Sequence, residues 1–195
     1  MRAPPRDSDS HRDPLLGRPG DAFAIAWGLA EGLIFFLVPD MFFSLTASRS
    51  PLRGLRHVGL VILGSLIAGL VLHTWATRDA AGARGVVIAV PFIDQAMFTR
   101  VEADYQRLGA MAPLAGPLSG VPYKVYAVVG AGHTPLLPFL LISVPARAER
   151  LLITWAQFAV LGLLLRRWTR RPELWSAVAY AAYWLLVYTW YWSSR

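Results

Sequence analysis

Four ionisable side chains stand inside otherwise apolar sequence: Glu31, Asp40, Lys124 and Arg147. Holding a charge at membrane depth is expensive, so such residues mark binding sites, proton relays or counter-charges and need a partner. Glu31 follows Trp27 and Gly28 within an apolar arm, and Asp40 sits at the break closing that arm; together they suit binding of a proton or cation. Lys124 is the sole lysine and lies beside Tyr123 and Tyr126 in the second interrupted apolar stretch. Arg147 follows Pro145 near the start of a later apolar segment. Each residue also has a structural alternative. Asp40 can cap a helix beginning at Met41, Lys124 can extend to an interface, and Arg147, Glu149 and Arg150 can form a solvated helix start. For Glu149 and Arg150 the solvated reading is preferred.

The remaining chemistry is sparse. Cysteine is absent, so neither a disulfide framework nor a thiolate metal site is available. His73 and His133 are too far apart in sequence to form a metal motif and fall near the ends of elements. No metal or cofactor is expected. There is no GxSxG, HExxH, Walker or dinucleotide signature, and Ser119 with His133 makes a poor nucleophile and base pair for an intramembrane hydrolase.

These residues sit in a chain of 195 residues that is 55% hydrophobic and 16% charged, which argues for an integral membrane protein. His57 to Thr77 carries no formal charge; at about 1.5 Å per residue it can cross a hydrocarbon core of about 30 Å. Leu174 to Trp192 is a second such run, and Leu151 to Leu165 a shorter third that gains length if Arg147 and Arg150 reach an interface. Two other apolar stretches are interrupted. Asp21 to Ala47 breaks at Pro39 and Asp40. Ala110 to Gly132 contains Pro113, Pro117 and Pro122 with several glycines, so no straight helix suits it. Non-helical backbone at membrane depth must be buried in protein or line a polar cavity, so both stretches read as re-entrant hairpins; for the first, a single kinked span is the alternative.

The expected fold is therefore all-α and polytopic, with about three full transmembrane helices and two opposed re-entrant helical hairpins. Residues 1–20, rich in Pro, Arg and Asp, are expected to be a disordered tail, and 21–195 a single membrane domain ending in the helix 174–192. Asp79 to Gly85 reads as a glycine-rich link. Ile93 to Leu108 reads as an interfacial amphipathic helix with Ala96, Met97, Val101 and Leu108 on its apolar side. Gly64, Ser65, Ala68 and Gly69 form a small-residue stripe suited to close helix packing and, between copies, to a homodimer.

The net charge of +7, from eighteen Arg and one Lys, would suggest nucleic acid in a soluble protein. Here the arginines cluster at segment ends, where they read as topology signals and contacts for anionic lipid headgroups, not as a nucleic-acid surface. Eleven arginines fall in the tail, the Arg49 to Arg56 loop and the Arg166 to Arg171 loop. The positive-inside bias places those stretches in the cytoplasm, with the N-terminus, and the hairpins then enter from opposite faces. Arginine-rich, lysine-poor usage is compatible with a bacterium of high genomic GC content, and the expected location is the bacterial inner membrane.

Two blocks resemble the DedA or VTT-domain superfamily, most closely its YqaA-type branch, over roughly Trp27 to Leu165. EGLIFFLVPDMFFSL is similar to the family's acidic residue and Pro-acidic turn in the first hairpin. GPLSGVPYKVYAVVGAG with PFLLISVPARAERLL resembles its second hairpin and the link that follows. The resemblance implies two facing re-entrant hairpins and movement of lipids or lipid-linked phosphates across the bilayer, with proton coupling. It carries Glu31 and Asp40 onto the family's embedded acidic positions, Lys124 to within one residue of a basic position, and Arg147 onto a basic residue of the branch. The chain departs from the family at Pro117, where an arginine is typical. The leading expectation is a scramblase or flippase-like transporter in which Lys124 and Arg147, beside Tyr123 and Tyr126, attract a phosphate headgroup while Glu31 and Asp40 act as protonatable counter-charges. A non-transporting membrane scaffold is the alternative.

Overall fold

In the computed structural model, which describes residues 14–34 and 39–193, the described residues form only helices and their connections. Residues 1–13, most of the expected tail, and Ser194 and Arg195 lie outside this range. So does 35–38, the stretch just before the expected break at Pro39.

Pro19 stands in the first turn of α1 (Arg18–Leu33), where the amide hydrogen it lacks would have no partner. The helix thus starts inside the stretch expected to be disordered up to residue 20. α2 (Asp40–Arg49) follows, and Ser50 and Pro51 turn the chain into α3 (Pro51–Arg78). α1 runs parallel to α3: Asp21 meets Arg56 at one end, Gly64 faces Ile25 and Leu29 in the middle, and Gly32 meets Ala68 further along. α2 runs back along both, with Phe42 against Phe23 and Thr46 3.0 Å from His57. α1 and α2 therefore make a hairpin that begins and ends beside the first turns of α3 and turns near its middle.

The α1–α3 contact depends on small residues. A Cβ at Gly28 would lie 2.2 Å from the Val61 carbonyl oxygen, and one at Gly64 2.2 Å from that of Ile25. Only hydrogen at those positions lets the two backbones approach this closely. The small-residue stripe of α3 is consequently buried within the chain, facing α1 and, at Gly69, Tyr123.

Asp79, expected in a glycine-rich link, caps a helix instead. Its side chain accepts from the Gly82 amide at 2.8 Å and starts α4 (Ala80–Ile88). Asp94 does the same for α5 (Gln95–Leu108), accepting from the Met97 amide at 2.9 Å. The buried face of α5 is Phe98, Val101 and Tyr105, with Leu108 left exposed. Of the expected apolar side, Val101 is buried and Met97 packs against the core, while Ala96 and Leu108 are exposed and Phe98 and Tyr105 complete the inward face.

The proline-rich stretch forms a second broken hairpin. A 3₁₀ segment (Gly109–Ala115) and the short α6 (Gly116–Ser119) descend to Gly120, whose φ of +72° suits glycine, and α7 (Tyr123–Gly130) returns. The Tyr105 hydroxyl donates to the Tyr126 carbonyl at 3.0 Å, and burial pushes its pKa above the ordinary phenol range, so it stays a donor. Tyr126 in turn donates to Asp104 at 2.8 Å. These bonds bind α7 to α5.

α8 (Leu136–Trp168) is one helix of 33 residues, not a short apolar stretch followed by a span from Leu151. Pro138 lies in its first turn, where a proline costs no hydrogen bond. Pro145 is accommodated inside the helix. α8 runs antiparallel to α3: His73 stacks on Phe139, Ser65 meets Arg147, and Trp155 donates to the Pro51 carbonyl. Arg166 donates to the carbonyls of Ser48 and Arg49, so the two basic loops meet at one end. The His73 to Thr134 bond lies at the other.

α9 (Pro172–Ser193) is attached through its polar aromatics. Tyr180 donates to the Met41 carbonyl, Trp184 to Ser44 Oγ, and Tyr188 approaches Met41 Sδ. Among the described residues, α3 and α8 are long and apolar enough to cross a membrane. The bundle has an apolar core, yet it also exposes large aliphatic side chains and buries several ionisable ones. Leu63, Ile67, Leu141, Ile153, Val160 and Leu163 face outward, while Glu31, Asp40, Lys124 and His57 are buried.

Candidate functional site

The ends of the two hairpins meet beside α8 and enclose a cavity of about 490 Å³. All six residues singled out from the sequence line it: Glu31, Asp40, Tyr123, Lys124, Tyr126 and Arg147. Arg150 and Thr154 add polar groups from α8, and Tyr183, Trp184 and Tyr188 of α9 close one side. The loop between α4 and α5 contributes Phe92, a non-glycine residue with a φ of +68°.

Glu31 lies in the last turn of α1, where the helix dipole opposes a negative charge. Its compensation comes from across the bundle. Arg147 donates to Glu31 Oε2 at 2.5 Å and to Ser65 Oγ at 3.0 Å, and its guanidinium sits 5.4 Å from the centre of the Tyr123 ring. Ser65 Oγ is also 3.0 Å from the Val61 carbonyl oxygen. Lys124, only 2% exposed, lies within electrostatic reach of both Glu31 and Arg147. It stands in the first turn of α7, where the dipole opposes a positive charge. Glu31 and Lys124 thus occupy helix ends that each disfavour their own charge.

Asp40 differs. It is the first residue of α2, a position favourable for a carboxylate, but it does not cap the helix. One oxygen accepts from Arg150 at 3.1 Å and the other from Thr154 at 3.0 Å. Arg150, read as part of a solvated helix start, keeps an exposed side chain but also pairs with Asp40 and does not start a helix: with α8 continuous through Pro145, Arg147, Arg150 and Thr154 fall on one face at positions i, i+3 and i+7. Glu149 is exposed, as expected. Tyr126 lines the cavity, but its hydroxyl is engaged by Asp104 outside it.

With three cationic and two acidic side chains, the lining carries a formal excess of one positive charge. Carboxylates held by arginines, with a lysine beside them, can exchange partners when an anion enters. Ser119 and His133 are engaged separately: Ser119 Oγ donates to the Gly116 carbonyl, and His133 pairs through Nδ1 with the Val129 carbonyl. Among the described residues no group of three or more His, Asp or Glu side chains is placed to hold a metal ion.

No protein-family model, curated protein or solved structure matches the chain.

Proposed function

We propose that this chain is an integral membrane transporter of the scramblase or flippase type, moving a phospholipid or lipid-linked phosphate with possible coupling to protons. The observation that carries the reading is the single cavity, lined by both hairpins, in which Lys124, Arg147 and Arg150 outnumber Glu31 and Asp40. In this reading the hairpins are re-entrant from opposite faces and α3, α8 and α9 span the bilayer. The basic loops face the cytoplasm, in keeping with the positive-inside bias, and the setting is a bacterial inner membrane. The resemblance to the DedA or VTT-domain superfamily supports the same arrangement, and discontinuous elements meeting near the midplane are a general transporter device. A phosphate entering the cavity would draw Lys124 and Arg147 away from Glu31.

The test is transport of a labelled lipid between leaflets of vesicles containing the purified protein. Wild type should equilibrate the label, and a Glu31→Ala, Asp40→Ala double variant should not. Equal transport by both would remove the acidic pair from the mechanism.

The complete pairing of both carboxylates favours a second reading, a non-transporting scaffold whose charges hold the hairpins together. That reading predicts that the double variant loses folded yield and that the wild-type protein leaves lipid labels where they start.

A further inference from the structure

The charges of the central cavity stand on α1, α2, α7 and α8, whereas the turn joining α4 to α5 lines it with apolar residues alone, Val90, Pro91, Phe92 and Ile93. That turn is the apolar counterpart of the ion pairs.

The turn is anchored at both ends. The Ile93 amide donates to the Val90 carbonyl at 3.2 Å, and the Val90 amide to the Val87 carbonyl at 3.2 Å. Val90 and Ile93 are buried in the same apolar cluster as Val87 and Phe98, and Asp94 caps α5 immediately afterwards. The backbone of Pro91 and Phe92 is fixed between these anchors. Pro91 takes the second position of the turn, and Phe92 the third, with a φ of +68°. Glycine is the usual residue there, because a Cβ crowds the adjoining backbone. Among the described residues, Phe92 is the only one other than glycine with a positive φ. A bulky aromatic held in that region marks strain retained for the sake of its side chain. That side chain is half-buried and lines the cavity.

We propose that Phe92 is a specificity-determining residue of the central cavity, whose ring packs against the apolar part of a phosphate-bearing amphiphile. The assignment rests on the reading of this cavity as a phosphate-lipid site and adds to it a means of preferring a lipid-borne phosphate over a free one. Charge recognises the headgroup; Phe92 recognises what the headgroup is attached to. With glycine in the turn the ion pairs would stand, but the ring that favours the chains would be gone. An aromatic ring on a backbone already fixed loses little entropy when a ligand enters.

Calorimetric titrations of the full chain in detergent micelles compare dioctanoyl phosphatidic acid with glycerol 3-phosphate, the same headgroup without chains, at constant detergent concentration. Wild type should bind both, the lipid more tightly. Phe92→Gly should weaken lipid binding by about tenfold, the worth of a half-buried aromatic contact, and leave glycerol 3-phosphate unchanged; Phe92→Leu should recover most of the loss. Arg150→Ala removes a charge instead and should weaken both probes. Melting temperatures test the turn itself: Phe92→Gly should melt above Phe92→Ala, the reverse of their order in a helix. Failure of either probe to bind wild type, or of Arg150→Ala to weaken them, would overturn the cavity reading and this assignment with it. Where both probes respond to Arg150→Ala, unchanged lipid affinity in Phe92→Gly, or equal weakening of both probes, would overturn the assignment alone. Phe92→Ala melting at or above Phe92→Gly would likewise remove the strained turn from which it is argued.

Discussion

Arg147 on α8 and Glu31 on α1, separated by 116 residues in the chain, meet at 2.5 Å, each side chain about nine-tenths buried. A third partner, Ser65 of α3, fixes the same guanidinium. One side chain therefore joins three helices at the level where the first hairpin turns. Breaking a buried pair leaves an uncompensated charge, which costs about 3–5 kcal/mol. Arg147→Met and Glu31→Gln should each lower stability on that scale in thermal unfolding in micelles. The double variant should lose less than the sum, and strict additivity would show that the two residues are not coupled.

The Asp40 pair behaves differently. The Arg150 side chain is 39% exposed, so its ion pair contributes at most about 1 kcal/mol. Thr154 and the first turn of α2 still support Asp40 when Arg150 is gone. Arg150→Ala should therefore fold with wild-type yield while transport falls. Undiminished transport in that folded variant would take Arg150 out of the mechanism.

Glycines of α3 separate packing from propensity. Gly64→Val drives a side chain into the α1 backbone and should cost about 3 kcal/mol or more, read as loss of monodisperse protein. Gly59 has no neighbour within 4 Å of a built Cβ, and Gly59→Ala should gain about 0.5–1 kcal/mol from helix propensity. A destabilised Gly59→Ala would point to a contact on that face outside the chain.

The absence of cysteine makes orientation directly measurable. Leu52 lies at the end that carries the basic loops, and Arg107 at the opposite end, near the turn of chain that His133 packs against. In intact spheroplasts a membrane-impermeant maleimide should label Arg107→Cys and spare Leu52→Cys until the cells are opened. The reverse pattern would invert the proposed topology.

How far the sequence was legible depended on the kind of signal. Glu31, Asp40, Lys124 and Arg147 stood out because a charge inside an apolar run is conspicuous without three-dimensional information, and all four line one cavity. The pairing of Arg150 with Asp40 is hidden in the sequence because Pro145 suggests a helix boundary. A proline need not end a helix that is packed along its length, and once α8 is continuous the spacing of Arg147, Arg150 and Thr154 gives the shared face. Thr154 and Ser65 carried no signal of their own, since a lone hydroxyl in an apolar helix usually bonds its own backbone. The stripe from Gly64 to Gly69 correctly indicated close packing, but composition cannot distinguish a partner helix in the same chain from one in another copy. α9 was expected as an aromatic span suited to membrane interfaces; the hydrogen bonds of Tyr180 and Trp184 to α2 depend on long-range placement that local pattern does not encode.

Pro145 also has a mechanical consequence. Lacking an amide hydrogen, it removes the bond that would reach back to Leu141, so α8 has one internal tie fewer two residues before Arg147. On one side of this gap, Phe139 rests against Tyr123 of the second hairpin; on the other, Arg150, Thr154 and Gly162 adjoin the first. Bending costs least at such a point. The arginines that hold both carboxylates thus begin two residues beyond the missing tie, where the contacts of α8 pass from one hairpin to the other.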